Sequence, residues 1–254
     1  MTLRKYLVAL LAVGASLVFA GSATAAFPNF SDCPLSNPST AGCIDVQATS
    51  GNLNIKGFNV PLGASLEIRG GLTAAEERTP NLLIPPVGTN GFFATPVPVP
   101  GGLLGIEWIP GTSVLAITEL AGPTSGIRID FENQGVSVPV KVRLVNALIG
   151  MNCHIGTDRN PVRLNLISGT TAPPAPNRPI TGHTGEFGIA PPDIIRITDV
   201  LDVENSFAVP GASECGLGLG LINTLVNAKL RLPSAGGNNS IEVHNNIGIR
   251  FFAE

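Results

Sequence analysis

Few residues of this chain have the types and spacing that chemistry requires. The three histidines are His154, His183 and His244, and none sits in an HxH or HExxH arrangement. That spacing is what places two imidazoles on one metal ion. Each therefore reads as a surface or loop histidine, and a shared site would need the fold to gather distant segments. The densest acidic run is TDVLDVEN, which supplies Asp199, Asp202 and Glu204 with Asn205 beside them. Hard oxygen ligands of this kind suit calcium. The EF-hand spacing is absent, however, and residues 199 and 202 face opposite sides of a regular strand. Asp130 and Glu132 share one polar strand face, the ordinary pattern of a solvated surface. A glycosidase would need two carboxyls about 5–10 Å apart across a cleft.

Nucleophiles fare no better. Ser65 lies in GASLE and Ser213 in GASEC, and neither fits the GxSxG elbow of an α/β-hydrolase. GGLLG (101–105) lacks the Lys-Ser/Thr ending of a phosphate loop. No catalytic residue, cofactor or metal ligand is assigned, and the reading leans against an enzyme.

The cysteines are more informative. Cys33, Cys43, Cys153 and Cys215 are an even set without CxxC pairs, so two disulfides are expected rather than a zinc site. CPLSNPSTAGC is a Pro/Ser/Gly turn segment that folds its own ends together, which favours Cys33–Cys43. Cys153–Cys215 follows by elimination. An oxidising compartment agrees with the N-terminus. Arg4 and Lys5 precede the apolar run Tyr6 to Ala20, and Ala23-Thr24-Ala25 fits small-x-small cleavage. Residues 1–25 are therefore expected to be a removable export signal, with 26–254 the single secreted domain.

The elements that must position these residues repeat with a period of two. Ile44, Val46 and Ala48 alternate with Asp45, Gln47 and Thr49. Val136, Val138, Val140, Val142 and Leu144 share one face against Ser137, Lys141 and Arg143. Leu66/Ile68, Ile127/Ile129, Val162/Leu164/Leu166, Ile195/Ile197 and Ile241/Val243/Ile247/Ile249 alternate likewise. Each reads as a half-buried strand with one wet face, and such strands pair antiparallel. The expected fold is all-β, an antiparallel β-sandwich of Greek-key type. Pro139 should put its strand at an edge or in a bulge. One segment has helical spacing: Leu221, Ile222, Leu225, Val226 and Leu230 predict a short helix near 218–230, ended by Pro233. A few helical residues are also expected around Ala74–Arg78. PVPVPGG (96–102) and TTAPPAPNRPITG (170–182) read as stiff extended loops.

Three stretches taken together resemble a family of small exported actinobacterial proteins that have no characterised function. They are CPLSNPSTAGC (33–43), MNCHIGTDRNPVRLNLISGTTAPPAPNRPITG (151–182) and ENSFAVPGASECGLGLGLINTLVNAKLRLPSAGGNN (204–239). The resemblance implies export and one paired cysteine in each of the last two blocks. It brings no catalytic residue, ligand or partner.

Composition narrows the function classes. The 254 residues carry 15 basic and 18 acidic side chains, which excludes a nucleic-acid reader driven by a basic surface. With 44% hydrophobic and 13% charged residues the chain cannot remain a solvated coil. One Trp (Trp108) and one Tyr (Tyr6) leave little for a sugar-stacking platform or for the aromatic girdles of a membrane barrel. Trp108 reads as a core residue near a strand end. Three functions remain. The first is a non-enzymatic envelope or extracellular interaction module, whose partner the sequence does not name. The second is a carrier of an apolar ligand, which needs a cavity of about 300 Å³ or more. The third is a secreted hydrolase with an acidic site assembled from loops.

Overall fold

A computed structural model describes residues 27–74, 79–102, 111–131, 135–216 and 220–252. Residues 1–26 (which include the expected export signal), Trp108, Glu132 and most of the 74–78 segment lie outside the described residues. The strands are β1 (Gly42–Ile55), β2 (Phe58–Pro61), β3 (Leu66–Leu72), β4 (Asn81–Ile84), β5 (Phe92–Ala94), β6 (Val97–Pro98), β7 (Leu115–Leu120) and β8 (Arg128–Asp130). They continue as β9 (Gly135–Asn146), β10 (Gly150–Ile155), β11 (Val162–Ile167), β12 (Glu186–Ala190), β13 (Ile194–Glu204), β14 (Ala212–Ser213) and β15 (Asn239–Phe251). One helix, α1 (Leu221–Leu230), precedes the last strand. The expected class, antiparallel β with one short helix, is the class observed.

All pairings are antiparallel. The path β1–β3–β4–β8–β9–β11–β13–β15 returns to β1, so the sandwich is joined along its edges and the sheet closes partly into a ring. Closure is weakest at β11–β13, where a single pair, Ile167 and Val203, joins the strands. The period-two pattern explains what fills the ring. Ile44 and Val46 of β1 stand opposite Ile249 and Ile247 of β15, all on the inner face, and Val138, Val140 and Leu144 of β9 join the same core. Each such side chain stabilises the fold by roughly 1.5–3 kcal/mol when fully buried. The outer face is polar, with the ion pairs Arg143–Glu119 and Lys141–Asp158. This is the reverse of a membrane barrel, whose lipid-facing side is apolar. No described helix is long and apolar enough to cross a membrane.

Pro139 departs from expectation, because β9 is a central strand that pairs on both sides. On one side Pro139 stands opposite Arg163 of β11. On the other, the β8 pairing ends at Ser137 and the β7 pairing begins at Val140. The Pro139 carbonyl accepts the Ala121 N–H on that second side. Its nitrogen points the same way, into the handover between β8 and β7, where no ladder donor is missed.

Both disulfides form as expected. Cys33–Cys43 closes the N-terminal turn, and Cys153–Cys215 joins β10 to the segment after β14 across 62 residues. The helix is shorter and rotated relative to the sequence reading. It runs between left-handed Gly220 and Arg231, so it ends before Pro233, and it buries Val226 and Leu230 while Leu221 and Leu225 are exposed. Its asparagines hold the neighbouring chain: Asn223 Oδ1 accepts the Cys215 N–H and Asn227 Oδ1 accepts the Ala212 N–H. The proline-rich 170–182 segment is a packed crossover. Thr171 pairs with Ile180, and Asn177 Nδ2 donates to the carbonyls of Asn205 and Asn239.

Candidate functional site

The thin β11–β13 seam borders a cavity of about 470 Å³. Its wall takes Asp130, Gly135, Val136 and Ser168 from one side of the seam and Val200 and Asp202 from the other. Inner-face side chains of β1 and β15, such as Val46 and Ile247, form the apolar floor. Three further lining residues, Phe131, Phe187 and Phe251, are exposed, and Phe131 meets Phe251 edge-on with ring centroids 6.0 Å apart. No basic side chain occurs among the described lining residues.

Asp202 is the chemically unusual member of this wall. It is 5% exposed and points inward from β13. Asn245 of β15, also buried and inward, donates its Nδ2 proton to Asp202 Oδ2 at 2.8 Å. Burial raises the Asp202 pKa from the ordinary 3.8 to about 6, against the Asn245 hydrogen bond and the charge of His183, which both pull it down. Such a carboxyl holds its proton and can donate below about pH 6, and it is an ionised acceptor above that. Asn245 was legible in the sequence as the polar gap in the inward series Ile241, Val243, Ile247, Ile249.

A second buried acid lies on the opposite face of the sheet. Asp45 has the outward parity of β1, yet it is fully covered because the N-terminal segment folds over it. Its Oδ2 accepts the Asn29 N–H at 2.7 Å and the Gln47 side-chain amide at 3.1 Å. Its Oδ1 has no hydrogen-bond partner. Burial again dominates and moves the pKa to about 6, with Glu67 adding to the rise and Arg69 opposing it. Gln47, Ser65, Glu67 and Arg69 line an open groove of about 360 Å³ beside it. Ser65 Oγ is buried without a hydrogen-bond partner, so nothing activates it as a nucleophile. Asp45 outside and Asp202 inside are separated by the sheet and cannot act as an acid–base pair.

The acidic run 199–205 does not converge. Asp199 is exposed on the outer face and Asp202 is inside, as regular alternation from Val200 onward requires. Glu204 Oε1 accepts both the Ser206 N–H, at 2.6 Å, and its hydroxyl. Asn205 Nδ2 donates to the Arg178 carbonyl. Four partners in four directions leave no oxygen cage.

The histidines behave differently from expectation in one respect. His154 lies alone against Glu119, 3.7 Å away. His183 and His244 are brought together with Asp199, so that one ligand atom from each lies within 4.8 Å of the others. His183 exchanges both backbone hydrogen bonds with Leu201, and Leu201 stands opposite His244. The two imidazoles thus flank Leu201 on the outer face. Asp199 reaches them because β13 carries one extra residue between Ile197 and Val200. That bulge keeps Ile197 and Val200 both on the cavity wall and turns Asp199 outward.

Comparison with known proteins identifies no family: no family model, no curated protein and no solved structure matches the chain. The two disulfides indicate an oxidising, extracytoplasmic environment.

Proposed function

We propose that this chain is an exported binding protein that holds a small apolar or amphipathic molecule in the seam cavity of its partly closed barrel. The cavity itself carries the proposal. At about 470 Å³ it falls within the range of small-molecule sites, about 300–1,000 Å³. Its composition also follows the pattern of such sites: an apolar wall with a few polar groups that fix orientation. Export rests on the disulfides together with the expected signal at residues 1–25.

The wall also selects the ligand's polar end. Asp202 lies on it, and no basic side chain occurs among the described lining residues. Above about pH 6 a carboxylate head would meet the like charge of ionised Asp202, whereas an alcohol or amide head can donate a hydrogen bond to it. The substrate class is therefore a neutral-headed lipid such as a long-chain alcohol or monoacylglycerol.

Native mass spectrometry after incubation with a C12–C16 alcohol, the matching monoacylglycerol and the matching fatty acid tests this. The expected result is a one-to-one adduct with the neutral lipids, weaker with the acid, and lost when Ile247→Trp fills the floor. Failure of the wild type to retain any of the three, or equal retention by Ile247→Trp, would overturn the proposal.

A further inference from the structure

We propose that His183, Asp199 and His244 form a surface binding site for a divalent transition-metal ion of the zinc type. The site lies on the outer face, separate from the cavity. Its geometry is close to that of a bound state. Two ligands held 2.0–2.1 Å from one ion at the tetrahedral angle are about 3.3 Å apart. His244 Nδ1 and Asp199 Oδ1 are 3.3 Å apart. All three ligand atoms fall within 4.8 Å of one another, so side-chain rotation of His183 closes the set. The imidazole planes are inclined at 66° with centroids 6.3 Å apart, an edge-on arrangement and not a face-to-face stack.

The backbone supplies an independent observation. Asp199 has φ +56°, a left-handed conformation that a non-glycine residue adopts at a cost. The bulge that imposes it is held by the Asp199 N–H donating to Asn246 Oδ1 at 3.2 Å. Without the bulge, period-two alternation would send Asp199 to the same face as Ile197, inside the ring. Strain at this residue therefore has one visible result: a carboxylate placed beside two imidazoles from different strands.

The donor set selects the ion. Two borderline nitrogens and one carboxylate suit zinc and its neighbours, while calcium takes six to eight oxygens and magnesium keeps an octahedral oxygen shell. Three protein ligands leave at least one coordination position for water or for a group from another molecule.

The test uses the disulfide-bonded, metal-free chain without a histidine tag. Zinc titration by calorimetry should give one site per chain, and cobalt should give the intense visible bands of four-coordination. His183→Ala, His244→Ala and Asp199→Gly should each weaken binding by at least about tenfold, the scale seen even for outer-shell changes. His154→Ala should bind as the wild type does. Asp199→Gly suits the left-handed backbone, so its thermal midpoint should not fall, which separates loss of a ligand from loss of fold. Absence of saturable zinc binding by the wild type, or unchanged affinity in the three variants, would overturn the proposal.

Discussion

Asp202→Asn should make the protein more stable at pH 8 and leave it unchanged at pH 4. The native carboxyl titrates at about 6 and the ordinary value is 3.8. Below pH 3.8 both folded and unfolded chains hold the proton, so the charge makes no difference there. Between 3.8 and 6 the unfolded chain releases its proton while the folded one retains it, and stability falls. Above 6 the loss is complete. A displacement of about two pKa units corresponds to about 3 kcal/mol at 1.4 kcal/mol per unit. Asparagine cannot ionise, and its carbonyl can still accept the Asn245 amide proton. The variant therefore escapes the loss. For a domain of this size about 3 kcal/mol is about 6–12 °C in thermal midpoint. Circular dichroism melts of both proteins from pH 4 to pH 8 read the difference directly. Asp45 titrates in the same window and with the same sign, but it is common to both chains and cancels. A difference that stays constant across the range, or a variant less stable at pH 8, would refute the assignment of Asp202 as a carboxyl whose burial outweighs the Asn245 hydrogen bond and the charge of His183.

Two further outcomes follow from packing and loop closure. Cys215→Ser opens a 62-residue loop and should cost about 4 kcal/mol in the chain-entropy account. Because Cys153 is fully buried, its freed thiol should react with a thiol reagent slowly in the native variant and promptly in denaturant, as a time-resolved thiol titration would record. On the helix, Leu230→Ala should cost about 2–5 kcal/mol and Leu221→Ala under about 0.5 kcal/mol by urea unfolding, since only Leu230 lies in the core. Equal losses would mean that α1 presents a different face.

The strands were legible because one inner face runs through nearly all of them. Val136 to Leu144 alternates strictly and Ile241 to Ile249 does so except at Asn245, and alternation is what a half-buried strand imposes. Closure of the sheet was not legible. It depends on which edges meet, and the β11–β13 seam rests on the single pair Ile167–Val203, too little to leave a pattern. Pro139 misled for a related reason. A proline signals a missing donor, but the sequence does not tell a sheet edge from a handover between two partner strands. The helix face was misjudged because glycines and leucines on both sides of 221 give several stripes of equal strength, and only docking of Val226 and Leu230 chooses among them.

The two groups of chemically distinctive residues differ in how far the sequence could reach them. Asn245 occupies an inward position of β15, where period two expects an apolar side chain, so it is a local exception visible within its own strand, whereas Asp202 is turned inward only by the bulge in β13, since alternation counted from Ile195 and Ile197 sends it outward. Polar groups at core positions weaken folding unless satisfied, and these two satisfy each other, with Asp202 on the cavity wall. His183 and His244 break no local rule, each being an ordinary outward polar residue, and Asp199 joins them only because the bulge turns it outward. Their meeting needs the backbone bridge at Leu201 and the extra residue in β13, neither of which alternation can show. That bulge serves both sites at once. It keeps Ile197 and Val200 on the cavity wall three residues apart, and it places Asp199 on the opposite face. Restoring regular register by deleting one residue at 198–199 would therefore disturb the seam cavity and the His183–Asp199–His244 cluster together, whereas Asp199→Gly removes only a member of the cluster and Ile247→Trp fills only the cavity.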